Sequence, residues 1–219
     1  MTTASLRSCI LAAAEAVEAN RDELCRLDAG AGDGDHGLTM TLAARAVRKA
    51  LAASPDAAAG ELVAKLGLAM SSVGGAAGPI YAAGLAAVSQ ALHPSSAGQP
   101  VTVAQLLVCA EAAESAISAL GHAKPGDKTI LDALDPAVRA LRQAQSSEAD
   151  IRDAVEAAAA AARAGAASTA DLVATVGRAS RLGERSRGLA DPGASSLALI
   201  ISAMTVTYTQ RAEENGSEE

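Results

Sequence analysis

The segment Asp28-Ala-Gly-Ala-Gly-Asp33-Gly-Asp35-His36-Gly37 sets three carboxylates and an imidazole on a run loosened by glycine. Carboxylates this close can turn inward together, but their repulsion is costly unless a cation sits between them. Hard divalent ions take oxygen ligands, and magnesium commonly shares them with phosphate. An EF-hand is excluded, because Ala44 and Ala46 stand where the closing Glu is needed. An isolated Asp-Gly run is usually a solvated turn. Here a helix begins directly behind the run and aims its N-terminal N–H groups at the same place. The reading is a divalent-ion site, with His36 as a phosphate hydrogen-bond donor rather than a metal ligand or a simple cap.

Glycines cluster at three further junctions: Gly74–Gly78, Gly121–Gly126 and Gly177–Gly193. A helix end needs one glycine, whereas several let backbone approach a ligand closely. In Ser71-Ser-Val-Gly-Gly-Ala-Ala-Gly78-Pro79, small residues before a Pro-started helix make a row of N–H donors suited to phosphate. A tight helix–helix turn fits that segment equally well. Gly121-His-Ala-Lys-Pro-Gly126-Asp127-Lys128-Thr129 is not a P-loop, since Asp127 intrudes before Lys128 and no strand precedes it. Asp127 and Lys128 pair with each other or with neighbours instead. The fourth junction carries Arg178, Arg181, Arg185 and Arg187 within ten positions. A fixed guanidinium there could neutralise charge on a transferring phosphoryl group, against the plainer reading of a solvated basic loop. No Ser-His-Asp or Cys-His arrangement stands out, and His93 and His122 read as structural or solvated.

These junctions need rigid elements between them, and the composition supplies helices. Half of the 219 residues are apolar, alanine dominates, and Tyr81 and Tyr208 are the only aromatics. Alanine is the best helix former and a poor strand former. Spacing predicts helices over Ser5–Asn20, Leu38–Ala53, Glu61–Val73 and Pro79–Leu92. A fifth opens with a capping box at Thr102–Gln105. Others follow over Lys128–Gln145, with Asp127 as N-cap and Pro136 as a kink or break, then over Glu148–Ala164, Ser168–Val176 and Ser195–Gln210. Gly183–Gly193 reads as irregular. The last helix is apolar around most of its circumference, which predicts a central, buried position. One domain of eight or nine antiparallel helices over residues 1–212 is the simplest account, with a disordered acidic tail, Glu213–Glu219. The net charge of −7 and scattered basic residues argue against nucleic acid. The three cysteines have no metal-type spacing and read as reduced thiols in a cytoplasmic protein. No secretory leader and no membrane span are expected, since the run Ala157–Ala162 is short and flanked by Glu156 and Arg163.

Four stretches in order carry a resemblance: Leu27-Asp28 with Gly32-Asp-Gly-Asp-His-Gly37; Ser72-Val-Gly-Gly-Ala-Ala-Gly-Pro79; Pro125-Gly-Asp-Lys-Thr129; and Gly177-Arg-Ala-Ser with Leu182-Gly-Glu-Arg-Ser and Asp191-Pro-Gly-Ala194. Together they resemble the L subunit of bacterial dihydroxyacetone kinases, a module that also forms the C-terminal domain of single-chain, ATP-dependent members. The resemblance implies an all-α, eight-helix antiparallel barrel with a nucleotide, ADP or ATP, at one end. It implies two magnesium ions on Asp28, Asp33 and Asp35. It places nucleotide against His36, Gly37, Leu38, Thr39, Ala76, Ala77, Gly121, Ile130, Arg178, Asp191, Pro192 and Gly193, with Arg178 also catalytic. Ala77 departs from the usual Ser, losing one hydroxyl to phosphate, and Arg181 and Arg187 replace more usual aromatic or apolar residues. The implied partners are a K subunit that holds the ketose and, in the version where bound ADP is recharged rather than ATP exchanged, a phosphotransferase-system phosphocarrier. The implied assembly is a homodimer or a hetero-oligomer with K. A tetrulose in place of dihydroxyacetone, a regulatory nucleotide-loaded module, and a lipid-carrying barrel are the competing functions.

Overall fold

Alanine-rich stretches with Leu, Ile and Val at helical spacing coil wherever Gly or Pro does not interrupt them. The computed structural model describes residues 3–30, 32–92 and 101–216. Among the described residues there are nine α-helices and no strand: α1 (Thr3–Ala19), α2 (Arg21–Ala29), α3 (His36–Ala52), α4 (Ala59–Ser71), α5 (Ala77–Ala91), α6 (Val103–Gly121), α7 (Leu131–Ser146), α8 (Ile151–Ser168) and α9 (Pro192–Gly216). Packing neighbours run α1–α3–α4–α5–α6–α7–α8–α9, and α9 packs back on α1, so eight helices close a ring. The short α2 is an extra piece against α3 and α9.

Cross-helix bonds fix the directions. Arg7 near the start of α1 donates to Leu51 O and Ser54 O at the end of α3, at 2.6 and 2.8 Å. Ser89 late in α5 donates to Gly60 O at the start of α4 (2.8 Å). Arg152 early in α8 bonds Glu213 late in α9 (2.5 Å). Neighbours are therefore antiparallel, and the barrel that the resemblance implies is the one observed. Small residues let the staves approach closely. A Cβ on Gly165 of α8 would collide with the Asp132 carbonyl of α7 and come 2.9 Å from the Pro136 ring.

Two main apolar clusters form the wall. One joins α6 to α9 around Leu131, Val138 and Ile117. The other joins α1, α3, α4 and α5 around Leu62, Leu66 and Ile10. Between them lies a cavity of about 1240 Å³, lined by apolar side chains such as Met40, Leu85, Ile117 and Ile200.

Several expectations need correcting. Residues 21–29 form α2, so Asp28 sits on a final helical turn rather than on a free loop. The N-cap of α7 is not Asp127, because the helix starts at Leu131. Asp132 instead accepts from Gly126 N (2.5 Å) and Thr129 N (2.7 Å), and so shapes the turn ahead of it. Pro136 does not break α7: the missing N–H would have faced Asp132 O, and Gly165 makes room there. A helix over Ser168–Val176 does not form. The chain passes instead through 3-10 turns at Thr169–Asp171 and Arg178–Ser186, the second bent at Gly183. The last helix is not central. It is a stave whose apolar excess, including Leu197, Ile200 and Met204, lines the cavity, while Val206 is exposed. That helix also continues through Gly216, beyond the expected start of the tail at Glu213. His93 and Ser217–Glu219 lie outside the described residues. The Thr102 cap is present: its hydroxyl accepts from Gln105 N at 3.2 Å. Helix α6 is long and apolar enough to cross a membrane, yet here it packs between α5 and α7.

Candidate functional site

Alternation of direction puts every second junction at the same end, and these are the four glycine-rich ones. The α2–α3 turn meets the 169–191 segment through Arg178 and Asp33. It meets the α4–α5 junction where a Cβ on Gly75 would stand 4.0 Å from Thr39. The start of α9 meets the α6–α7 junction where a Cβ on Gly193 would stand 3.8 Å from Ile130.

The carboxylates of Asp28, Asp33 and Asp35 converge, each offering an oxygen within 4.8 Å of the others. Asp28 is buried at the end of α2, and its Oδ2 accepts from Asp35 N (3.0 Å) and His36 N (3.3 Å). That pulls the turn back over the helix end. Gly34, at φ +77°, makes the reversal possible without the strain a side chain would bring there. Asp33 and Asp35 are exposed, and Arg178 pairs with Asp33 and, at 3.9 Å, with Asp35. Desolvation works to raise the Asp33 carboxyl, but hydrogen bonds from Arg178 and Asp35 outweigh it and hold the group below its ordinary range. Asp35 lies above its ordinary range, through desolvation first and then the bond and charge of Asp33. Such strained neighbours favour a positive charge among them, and three hard oxygen donors suit magnesium.

His36 opens α3, and its ring Nε2 lies 3.0 Å from Ser196 Oγ. Burial pulls the imidazole below its usual value, against the charge of Asp28, so the ring is neutral near pH 7. Ser196 also meets Tyr81 OH at 3.1 Å and donates to Gly193 O at 3.0 Å. This half-buried His36–Ser196–Tyr81 network, absent from the sequence reading, lies between the carboxylates and the cavity, which Tyr81 lines. Asp191 caps α9: its Oδ2 accepts from Ala194 N (2.7 Å), while its own N–H donates to Thr169 Oγ1 (2.7 Å). Burial lifts its carboxyl to about 6.

The other expected residues fall at the same end. Leu38 is exposed on the first turn of α3 and Thr39 follows it. Ala76 and Ala77 open α5, whose first N–H groups face the end of the ring. Gly121 ends α6, and the buried Ile130 caps α7. Pro192 and Gly193 form the first turn of α9, where the missing N–H of Pro192 costs nothing. Gly37 has a packing duty as well, since a Cβ there would collide with Arg21 O of α2. Arg181 and Arg185 are exposed, and Arg187 is tied to Glu184 and Asp171 O.

A family model described as the DAK2 domain matches residues 30–206. The chain is 37% identical over 194 residues to the PEP-dependent dihydroxyacetone kinase 1, ADP-binding subunit DhaL, of Listeria innocua, covering 88% of this chain and 90% of that one. It is 39% identical over 191 residues to the D-erythrulose kinase of Mycolicibacterium smegmatis, covering 86% of this chain but 32% of that protein. The crystal structure of the dihydroxyacetone kinase from C. freundii in complex with AMP-PNP and Mg2+ superimposes with a TM-score of 0.70 at 27% identity, over 94% of this chain and 34% of that one. With a family match running from the carboxylate turn to α9, and a full-length relative at this identity, the chain belongs to the DAK2 domain family.

Proposed function

We propose that the chain is the nucleotide-binding subunit of a dihydroxyacetone-type kinase, active with a separate K subunit that holds the ketose. The observation that carries this reading is the gathering of the three carboxylates, Arg178 and the N-termini of α3, α5 and α9 at one end of the barrel. Asp28, Asp33 and Asp35 would hold two magnesium ions, which when bound supply neutralising charge for the nucleotide phosphates. The first N–H groups of α3 and α5 at Gly37, Leu38, Ala76 and Ala77, beside the His36 and Thr39 side chains, orient the phosphates, the N–H groups of His36 and Thr39 being bonded to Asp28 and Asp35. Gly121, Ile130 and Asp191–Gly193 border the remainder of the nucleotide. Arg178, reaching in from the neighbouring α8–α9 junction, stabilises charge on the transferring group, an effect of position and electrostatics.

Nucleotide titration by calorimetry tests the site. Magnesium-dependent binding of ADP is expected, and Asp33→Ala should weaken it at least tenfold. Unchanged affinity in that variant would refute the assignment. Turnover is then measured with a K subunit, with ATP and with a phosphocarrier in turn, on dihydroxyacetone and on a tetrulose. The tetrulose arm follows from relatives named as erythrulose kinases at comparable identity.

A further inference from the structure

Lys128 is 4% exposed, and burying an ammonium is costly unless its donors are met. Each of the three donors meets a backbone carbonyl: Thr169 O at 2.7 Å, Leu189 O at 2.7 Å and Leu172 O at 3.2 Å. A full set of acceptors calls for the protonated form, even though burial pulls the group below its usual value, against the charge of Asp191. The backbone at Lys128 is left-handed, at φ +62°, an unfavourable choice for a residue with a side chain.

The three carbonyls belong to the two limbs of one loop. Thr169 and Leu172 begin the excursion that leaves α8, and Leu189 lies where it returns to α9. Gly188 N donates to Ala170 O at 2.8 Å, so the limbs run side by side at their base. The α6–α7 junction supplies a second tie, in which Thr175 Oγ1 donates to Asp127 Oδ1 at 2.6 Å. Arg178 rides on this loop, and the Asp33 carboxylate that it meets belongs to a different junction. Its position is set by the loop's base.

We propose that Lys128 is a positioning residue for phosphoryl transfer: its ammonium clamps both limbs of the 169–189 loop and thereby holds Arg178 over the carboxylates. This rests on the reading of Arg178 given above as the group that stabilises the transferring charge.

The test uses Lys128→Met, Arg178→Ala and the double variant, in the full chain and in complex with a K subunit. Trypsin cuts after arginine, and the loop carries Arg178, Arg181, Arg185 and Arg187, so cleavage reports its opening directly. Lys128→Met should be cut in the loop at least tenfold faster than the parent, with helix content unchanged by circular dichroism. Its kcat should fall tenfold or more while the KM for nucleotide moves less than threefold, and Lys128→Arg should recover part of kcat. The double variant should be no slower than Arg178→Ala alone, because both changes remove one function. Parent-like cleavage, or losses that multiply in the double variant, would overturn the proposal. If Arg178→Ala keeps full turnover, the catalytic reading of Arg178 fails, and the clamp is judged on cleavage alone. Should Lys128→Met not fold, Lys128→Gln serves: its shorter side chain has two amide donors for three carbonyls on the two limbs, and a cleavage rate equal to the parent's refutes the clamp.

Discussion

Asp191 offers a sharp test of how the site is built, because its carboxyl is lifted to about 6 in the folded chain. Burial is the main cause. The Ala194 N–H and the charge of Lys128 oppose it, and Asp132 adds to it. An unfolded aspartate titrates near ~3.9. Between those values the folded state binds more protons than the unfolded state, so stability falls as pH rises from about 4 to about 6 and is level above that. A gap of about two units is worth about 3 kcal/mol in total. Asparagine caps a helix about as well as aspartate and does not titrate. Asp191→Asn should therefore match the parent at pH 4 and exceed it by up to about 3 kcal/mol at pH 7. In a chain of this size that is roughly 6–12 °C in melting temperature. Thermal melts of both proteins without nucleotide, from pH 4 to pH 7.5, give the difference directly. A difference that stays constant across that range would show that the carboxyl is not held high by its surroundings, and the reasoning would fail.

Gly165→Ala sets a Cβ against the Asp132 carbonyl and 2.9 Å from Pro136, where neither backbone nor ring can swing aside. Overpacking at the upper end of ~1–3 kcal/mol outweighs the roughly 1 kcal/mol gained in helix propensity, so the melting temperature should drop by about 4–8 °C. Thr102→Ala removes the cap of α6 and should cost about 1 kcal/mol, read as roughly 2–4 °C. Tyr81→Phe deletes one bond to Ser196, which keeps His36 and Gly193 O as partners. It should cost about 1 kcal/mol by chemical denaturation, with Mg-ADP affinity changed less than threefold.

The carboxylate site was legible because its parts are local: Asp28, Asp33 and Asp35 fall within eight residues, spaced by glycine. Helix α2 was missed because its nine residues bury only Leu24, Leu27 and Asp28, too few to show a period. The role of Lys128 left no mark in the sequence. Its partners are carbonyls 41 to 61 residues away, and every residue type has one. Ser196 and Tyr81 were hidden for a related reason, as polar atoms inside apolar helices whose meeting depends on the closure of the ring. The apolar girth of α9 was read as burial at a centre; in a barrel the same pattern faces a hollow.

Ring closure has one more consequence. Arg211 near the end of α9 donates to Ser8 Oγ at the start of α1, at 2.5 Å, so both ends of the described chain meet away from the carboxylates. The α7–α8 and α3–α4 turns lie at that same end. A ring of staves has no structural first member. A circular permutant that joins α9 to α1 by a short linker and opens at residues 147–150 would keep every helix pairing and every residue of the site. The order in which the chain visits the staves is thus separable from the assembly of the carboxylate end.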